Sequence, residues 1–186
     1  ITTYDVVLVS PPSRMINHYR PPVGLLYIGG YLQKKGMKVK IIDVPMKNVV
    51  RNKVFYQNID EELKKIERQM IDEFKGVKTK AVGIAFFTPE YFEVFDLARA
   101  YKKIDPGVKI FVGGIHPTLY PDEIFEERNC PIDFTVIGEG EITCYELVKT
   151  INENRNNYKD IAGIAYLDKK ADQVIKTNLR PLCENL

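Results

Sequence analysis

The chain has 186 residues and a mass of 21.4 kDa, with 45% hydrophobic and 28% charged residues, the balance of one globular domain able to bury a core. A net charge of +2 and a pI near 8.3 exclude a surface built on charge for nucleic acid or an anionic membrane. The three cysteines, Cys130, Cys144 and Cys183, are odd in number and widely spaced, which excludes a disulfide framework and, within this chain, a compact three-cysteine iron–sulfur motif.

No apolar run approaches membrane-spanning length, and the opening ITTYDVVLVS lacks the basic region and cleavage site of a signal peptide. A cytoplasmic protein with neither membrane nor nucleic-acid partner is the expectation. Cys130 and Cys144 read as small, half-buried hydrophobes.

Short β-branched runs alternate with helical patterns along the chain. Asp5–Val9 predicts a first strand, bounded by Ser10-Pro11-Pro12. Pro21-Pro22 can open a helix that carries Leu25, Leu26, Ile28 and Leu32 and stops at Gly36. Val39–Val44 predicts a second strand, ended by Pro45. Ile59, Leu63, Ile66, Met70 and Phe74 recur at steps of three and four, the stripe of an amphipathic helix. Ala81–Phe87 predicts a third strand. Thr88 can then cap a helix, with Pro89 in its first turn, that turns Phe92, Phe95, Leu97, Ala98 and Tyr101 inward. Val108–Val112 predicts a fourth strand, ended by Gly113-Gly114, and Pro121–Glu127 a short helix. Phe134–Ile137 predicts a fifth strand, ended by Gly138, and Glu141–Ile151 the last helix.

Near-continuous apolar strands separated by helices predict an α/β fold: a doubly wound, parallel five-stranded sheet of flavodoxin-like order 2-1-3-4-5. After Asn152 the texture turns polar. Ile161–Leu167 and Val174–Thr177 flank a DKKADQ turn and predict a small C-terminal β-hairpin outside the main sheet. The expected division is an α/β domain over residues 1–155 and a hairpin or linker over 156–186.

In such a sheet ligands bind beyond the carboxyl ends of the strands. The loops there read SPPSRMINHYRPPVG, FFTPE, GGIHPTLYPDE and GEGE. The first is long and holds four prolines, which suits a stiff wall. Gly24, Gly29 and Gly30 inside the first helix point either to a close approach or to tight helix–sheet packing. Gly113, Gly114 and Gly138 permit a bulky ligand near the backbone, though ordinary turns use glycine too. No GxGxxG follows the first strand, no GxxxxGK[ST] is present, and the clustered acids of a receiver domain and the phosphate loop of a flavodoxin are missing.

Six pieces occur in a fixed order: Ser10-Pro11-Pro12, PPVGLLYIGGYLQKKG (Pro21–Gly36), a second strand ending in Asp43, a third running into FFT, GGIHPT (Gly113–Thr118) and VIGEGE (Val136–Glu141). As a set spanning most of residues 4–150, they resemble the cobalamin-binding domain of the radical S-adenosylmethionine superfamily. The resemblance implies a corrin on the strand-end face, held by Ser10, Pro11, Pro12, His18, Gly24, Thr88, Gly113, Gly114, His116, Thr118, Gly138, Glu139 and Gly140. A corrin is large, mostly apolar and fringed with amides, so glycine backbone and scattered hydroxyls suit it better than charge.

The resemblance implies further that the parent protein also uses an iron–sulfur cluster and S-adenosylmethionine, for methyl transfer or another radical rearrangement. The tail IAGIAYLD…TNLRPL resembles the segment leading to a C-terminal radical catalytic domain, so this chain by itself has no expected turnover. The D-x-H-x-x-G motif of many cobalamin domains is absent. Ile16 and Pro21 stand where its Asp and Gly would be, relative to His18. His18 is a candidate cobalt ligand or a surface loop residue, and His116 a turn residue or hydrogen-bond partner. Glu139 and Glu141 suit a helix N-terminus, and Asp43 can bond a cofactor hydroxyl or cap a loop. Two other readings stay open: the same fold without cobalamin, as an accessory or substrate-recognition domain, and an independent enzyme using the strand-end cleft for a nucleotide.

Overall fold

A computed structural model describes residues 1–13, 21–43 and 59–182. Its strands are β1 (Thr2–Thr3), β2 (Val6–Val9), β3 (Val39–Ile42), β4 (Val77–Lys78), β5 (Ala81–Ala85), β6 (Lys109–Gly113), β7 (Phe134–Val136), β8 (Ile164–Asp168) and β9 (Gln173–Lys176). Its helices are α1 (Val23–Lys34), α2 (Ile59–Lys75), α3 (Tyr91–Ile104), α4 (Ile115–Leu119) and α5 (Glu141–Asn152).

Seven strands form one sheet in the order β3-β2-β5-β6-β7-β8-β9. The pairs from β3 to β7 are parallel, with Val9 beside both Ile42 and Ile84, and Ala85 beside Gly113. β8 and β9 continue the sheet antiparallel, through Thr135–Ala165 and Val136–Ile164 and then Tyr166–Ile175. The hairpin is therefore part of the main sheet, contrary to the expectation of an outlying element. The reason is edge chemistry: β7 would otherwise leave its outer N–H and C=O groups bare, and Ile164 and Ala165, both fully buried, cover that edge. A short parallel pair, β1 with β4, lies outside this sheet and was not foreseen.

Strand alternation splits the core in two. Val7 and Val9 face a cluster with Ile66, Met70, Phe74, Val94, Phe95 and Leu97 from α2 and α3. Val6 and Leu8 face Leu25 and Leu32 of α1 and Leu147, Val148 and Ile151 of α5. Each such buried side chain contributes about 1.5–3 kcal/mol relative to exposure. The side chains of Ile59 and Leu63, expected on the α2 stripe, lie outside the described residues.

Three local expectations are corrected. Thr88 does not cap α3; it opens a single 3₁₀ turn, Thr88–Glu90, whose preceding residue Phe87 is bonded by Glu90. Phe92 points outward, 75% exposed, because at helical spacing position 92 lies opposite the stripe of Val94, Leu97, Ala98 and Tyr101. Within 121–127 only Glu123–Phe125 is helical, as one 3₁₀ turn. Among the described residues no helix is long and apolar enough to cross a membrane.

Candidate functional site

Parallel strands place all their following loops at one edge of the sheet. The chain reverses its lateral direction between β3, on one side of β2, and β5, on the other. At that switch point the segment after β2, Ser10–Ser13, lies beside the turn after β5, Phe86–Glu90.

A row of polar contacts ties the strand-end loops together. Ser13 donates its hydroxyl to Glu90 Oε1, and Phe87 N–H donates to Glu90 Oε2 at 2.8 Å. Glu90 is 9% exposed, so this buried carboxylate depends on those two donors. Phe86 N–H donates to the Gly113 carbonyl at 3.0 Å. Thr88 Oγ1 lies 3.1 Å from His116 Nδ1, and Gly138 N–H donates to Thr118 Oγ1 at 3.1 Å. Ser10 N–H is held by the Ile42 carbonyl at 2.9 Å.

His116 is 3% exposed and boxed by the rings of Phe86, Tyr91 and Tyr120, with centroids 5.3, 5.3 and 5.5 Å away. Its Nε2 has no hydrogen-bond partner among the described residues. Nδ1 is thus engaged by Thr88, which makes this histidine a hydrogen-bond partner in the strand-end loops.

Gly114 has φ +105°, and a Cβ there would sit 2.6 Å from the Phe86 carbonyl oxygen. Only glycine lets this backbone lie so close to the turn after β5. Gly138 has φ +78° and opens onto free space, so its backbone is approachable from outside. The face is rimmed by exposed apolar side chains: Phe87, Ile115, Leu119 and Tyr120. Among the described residues, this edge presents glycine backbone, the Thr88 and Thr118 hydroxyls and exposed apolar side chains.

The other expected residues divide. Pro11 and Pro12 are buried at the end of β2, and Ser10 is half-buried. Thr88 is exposed and Thr118 half-buried; both face this edge through the contacts above. Gly113 ends β6 with room for a Cβ at ordinary contact distance, and so is not demanded by packing. Gly140 packs against α1, where a Cβ would lie 2.9 Å from Ile28 Cδ1. Gly24 and Gly30 face open space, whereas Gly29 sits 3.2 Å (as a Cβ) from Ile41 Cδ1, so helix–sheet packing accounts for Gly29 alone. Glu139 and Glu141 stand at the start of α5, and Glu141 also lines an open apolar groove of about 370 Å³ with Leu26, Tyr27, Gly30, Tyr31 and Lys34. His18 and Cys183 lie outside the described residues. Burial pushes the Cys144 thiol up to about 12 and raises that of Cys130, in keeping with inert core thiols.

Glu90 is the residue that sequence reasoning missed. A capping-box signal needs a Ser, Thr, Asp or Asn three residues earlier, and that position is Phe87, so nothing in FFTPE marks the glutamate.

The family model of the B12 binding domain matches residues 15–148. The chain belongs to the B12-binding domain family. This B12-binding domain is 30% identical over 97% of its length to the "uncharacterized methyltransferase PH0819" of Pyrococcus horikoshii, and covers 36% of that protein. It is 28% identical over 97% of its length to the anaerobic magnesium-protoporphyrin IX monomethyl ester cyclase of Synechocystis, and covers 34% of it. The domain thus spans about a third of the length of the curated relatives it matches. Its fold is that of a segment of the radical S-adenosylmethionine methyltransferase TsrM from Kitasatospora setae, solved with cobalamin and a [4Fe-4S] cluster bound. The TM-score is 0.72 at 18% identity, over 97% of this chain and 30% of that one.

Proposed function

We propose that the strand-end face holds cobalamin and that the chain is the cobalamin-carrying module of a larger radical S-adenosylmethionine enzyme, with methyl transfer as its favoured chemistry. The observation that carries this reading is the Gly114 cradle beside the apolar rim. The 2.6 Å limit on a Cβ comes from the Phe86 carbonyl, so Gly114 lets the loop after β6 lie against the turn after β5, beside the exposed Phe87, Ile115, Leu119 and Tyr120.

Ser10, Pro11, Pro12 and Ser13 would form one wall of the site. Thr88, Gly113–Thr118 and Gly138–Gly140 would form its floor and far side, with Glu90 and His116 holding those loops from within. When bound, the cobalamin supplies a cobalt centre able to carry an alkyl group. The residues of this chain orient it and exclude water from one face, while the hard chemistry belongs to the cofactor. A radical catalytic domain carrying an iron–sulfur cluster and S-adenosylmethionine, on the same parent chain, would complete the enzyme. The relative named as a magnesium-protoporphyrin IX monomethyl ester cyclase keeps ring closure beside methyl transfer as a chemistry for the parent enzyme.

The test is co-purification. The 186-residue chain, expressed in cells supplied with cobalamin and passed through gel filtration, should carry corrin absorption at close to one equivalent. Colourless protein from a cobalamin-rich culture, with the same folded dichroism, would count against the reading.

A further inference from the structure

We propose that His116 sets the polarity of the Thr88 hydroxyl, so that Thr88 turns its oxygen lone pairs outward and accepts an N–H from a carboxamide on the rim of the bound corrin. The inference deepens the cobalamin reading and rests on it for the identity of the donor.

A neutral imidazole has one N–H and one bare nitrogen. Thr88 Oγ1 is 3.1 Å from Nδ1, so either the hydroxyl donates to a bare Nδ1, or an Nδ1–H donates to the hydroxyl oxygen. What surrounds Nε2 separates the two. That atom has no solvent-exposed surface and no polar partner among the described residues. Three aromatic rings enclose the imidazole, with centroids 5.3–5.5 Å away. An N–H in such surroundings can point at the negative face of a ring, whereas a bare lone pair there would meet no donor. The proton therefore sits on Nε2 and Nδ1 is bare. The hydroxyl hydrogen of Thr88 is then spent on Nδ1. Thr88 is itself exposed at the strand-end edge, and what it presents outward is an acceptor. Corrin rim carboxamides offer N–H donors of that kind, whereas a carboxylate at the same point would meet lone pairs. His116 is thus a positioning residue that selects for amide over acid.

Two measurements decide it. Long-range ¹H–¹⁵N NMR of the free 186-residue chain reads the tautomer directly. Only two histidines are present, and His18→Ala leaves His116 as the single signal. Protonated Nε2 with bare Nδ1 is the expected result; the Nδ1–H form overturns the polarity whether or not any corrin binds. Titration with hydroxocobalamin and with its rim-amide monocarboxylate derivatives then tests the contact on unaltered protein. At least one derivative should bind about tenfold more weakly, and Thr88→Val should abolish that discrimination while Thr88→Ser keeps it. Equal binding of all derivatives by the wild-type chain overturns the assignment. Absence of any hydroxocobalamin binding would instead defeat the cobalamin reading, leaving the tautomer result to stand or fall alone.

Discussion

Thr88 Oγ1 and His116 Nδ1 lie 3.1 Å apart, joining the turn after β5 to the helix after β6 across 28 residues of chain. Glu90, two residues on, reaches in the opposite direction to Ser13, 77 residues earlier, across the point where the sheet reverses its winding. One four-residue turn, Phe87–Glu90, thereby anchors the loops on either side of it. Replacing Glu90 by Ala removes the acceptor of the Phe87 N–H and the link to Ser13, and should cost about 1–3 kcal/mol. Glu90→Gln, which keeps one carbonyl oxygen, should lose less. Urea unfolding of the two variants gives the comparison, and equal losses would show that a single neutral acceptor oxygen contributes nothing and that the carboxylate charge carries the effect.

Gly114→Ala meets both an unfavourable φ of +105° and a backbone oxygen 2.6 Å from the new Cβ. A loss of about 2–4 kcal/mol is expected, since neither atom is the end of a flexible side chain. Gly138→Ala shares the positive φ, yet its Cβ would meet nothing within 4 Å. It should cost only the backbone strain, about 1 kcal/mol. Chemical denaturation of the pair separates strain from collision.

Alkaline pH should destabilise the fold. Burial raises the Cys144 thiol from 9.0 to about 12, and raises the Tyr101 phenol as well. Below pH 9 the thiol is protonated in both states and its burial costs nothing. Between pH 9 and about 12 the unfolded chain gives up the proton while the folded one keeps it, so stability falls by about 1.4 kcal/mol per pH unit for that group. Cys144→Ala should show a shallower fall from pH 9 to 10.5 than the wild type, whatever its stability at pH 7. An identical slope would contradict the burial of that thiol.

Tyr101 stacks on Phe74 with ring centroids 4.2 Å apart, and its hydroxyl is buried without a hydrogen-bond partner among the described residues. Tyr101→Phe keeps the ring and removes the unsatisfied group, so it should be neutral or stabilising by about 1 kcal/mol. Tyr101→Ala should cost about 3–5 kcal/mol. A thermal melt of Tyr101→Phe well below the wild type would reveal a partner for that hydroxyl.

The alternation of Val, Ile and Ala runs with amphipathic stripes made the parallel strands readable, because strands buried on both faces need continuous apolar runs. The glycines at the strand ends were readable as positions able to take a positive φ, and Gly114 and Gly138 do so at +105° and +78°. Which glycines of α1 serve packing was not readable: Gly29 and Gly30 are neighbours, and only the approach of Ile41 separates them. The hairpin's place in the sheet was hidden because edge pairing depends on what β7 leaves bare, a property of the assembled sheet. The Ser13–Glu90 and Thr88–His116 contacts were hidden for the same reason: each joins residues that are distant in the chain and adjacent only once parallel strands align their ends.

The most direct test is a visible-absorption titration of the folded 186-residue chain with hydroxocobalamin, run beside Gly114→Ala. Saturable movement of the corrin bands at one equivalent, weakened at least tenfold in the variant, is the predicted result. Unmoved bands with a chain that is folded by circular dichroism would contradict cobalamin binding by this chain alone, and would leave the domain as a cofactor-free accessory module.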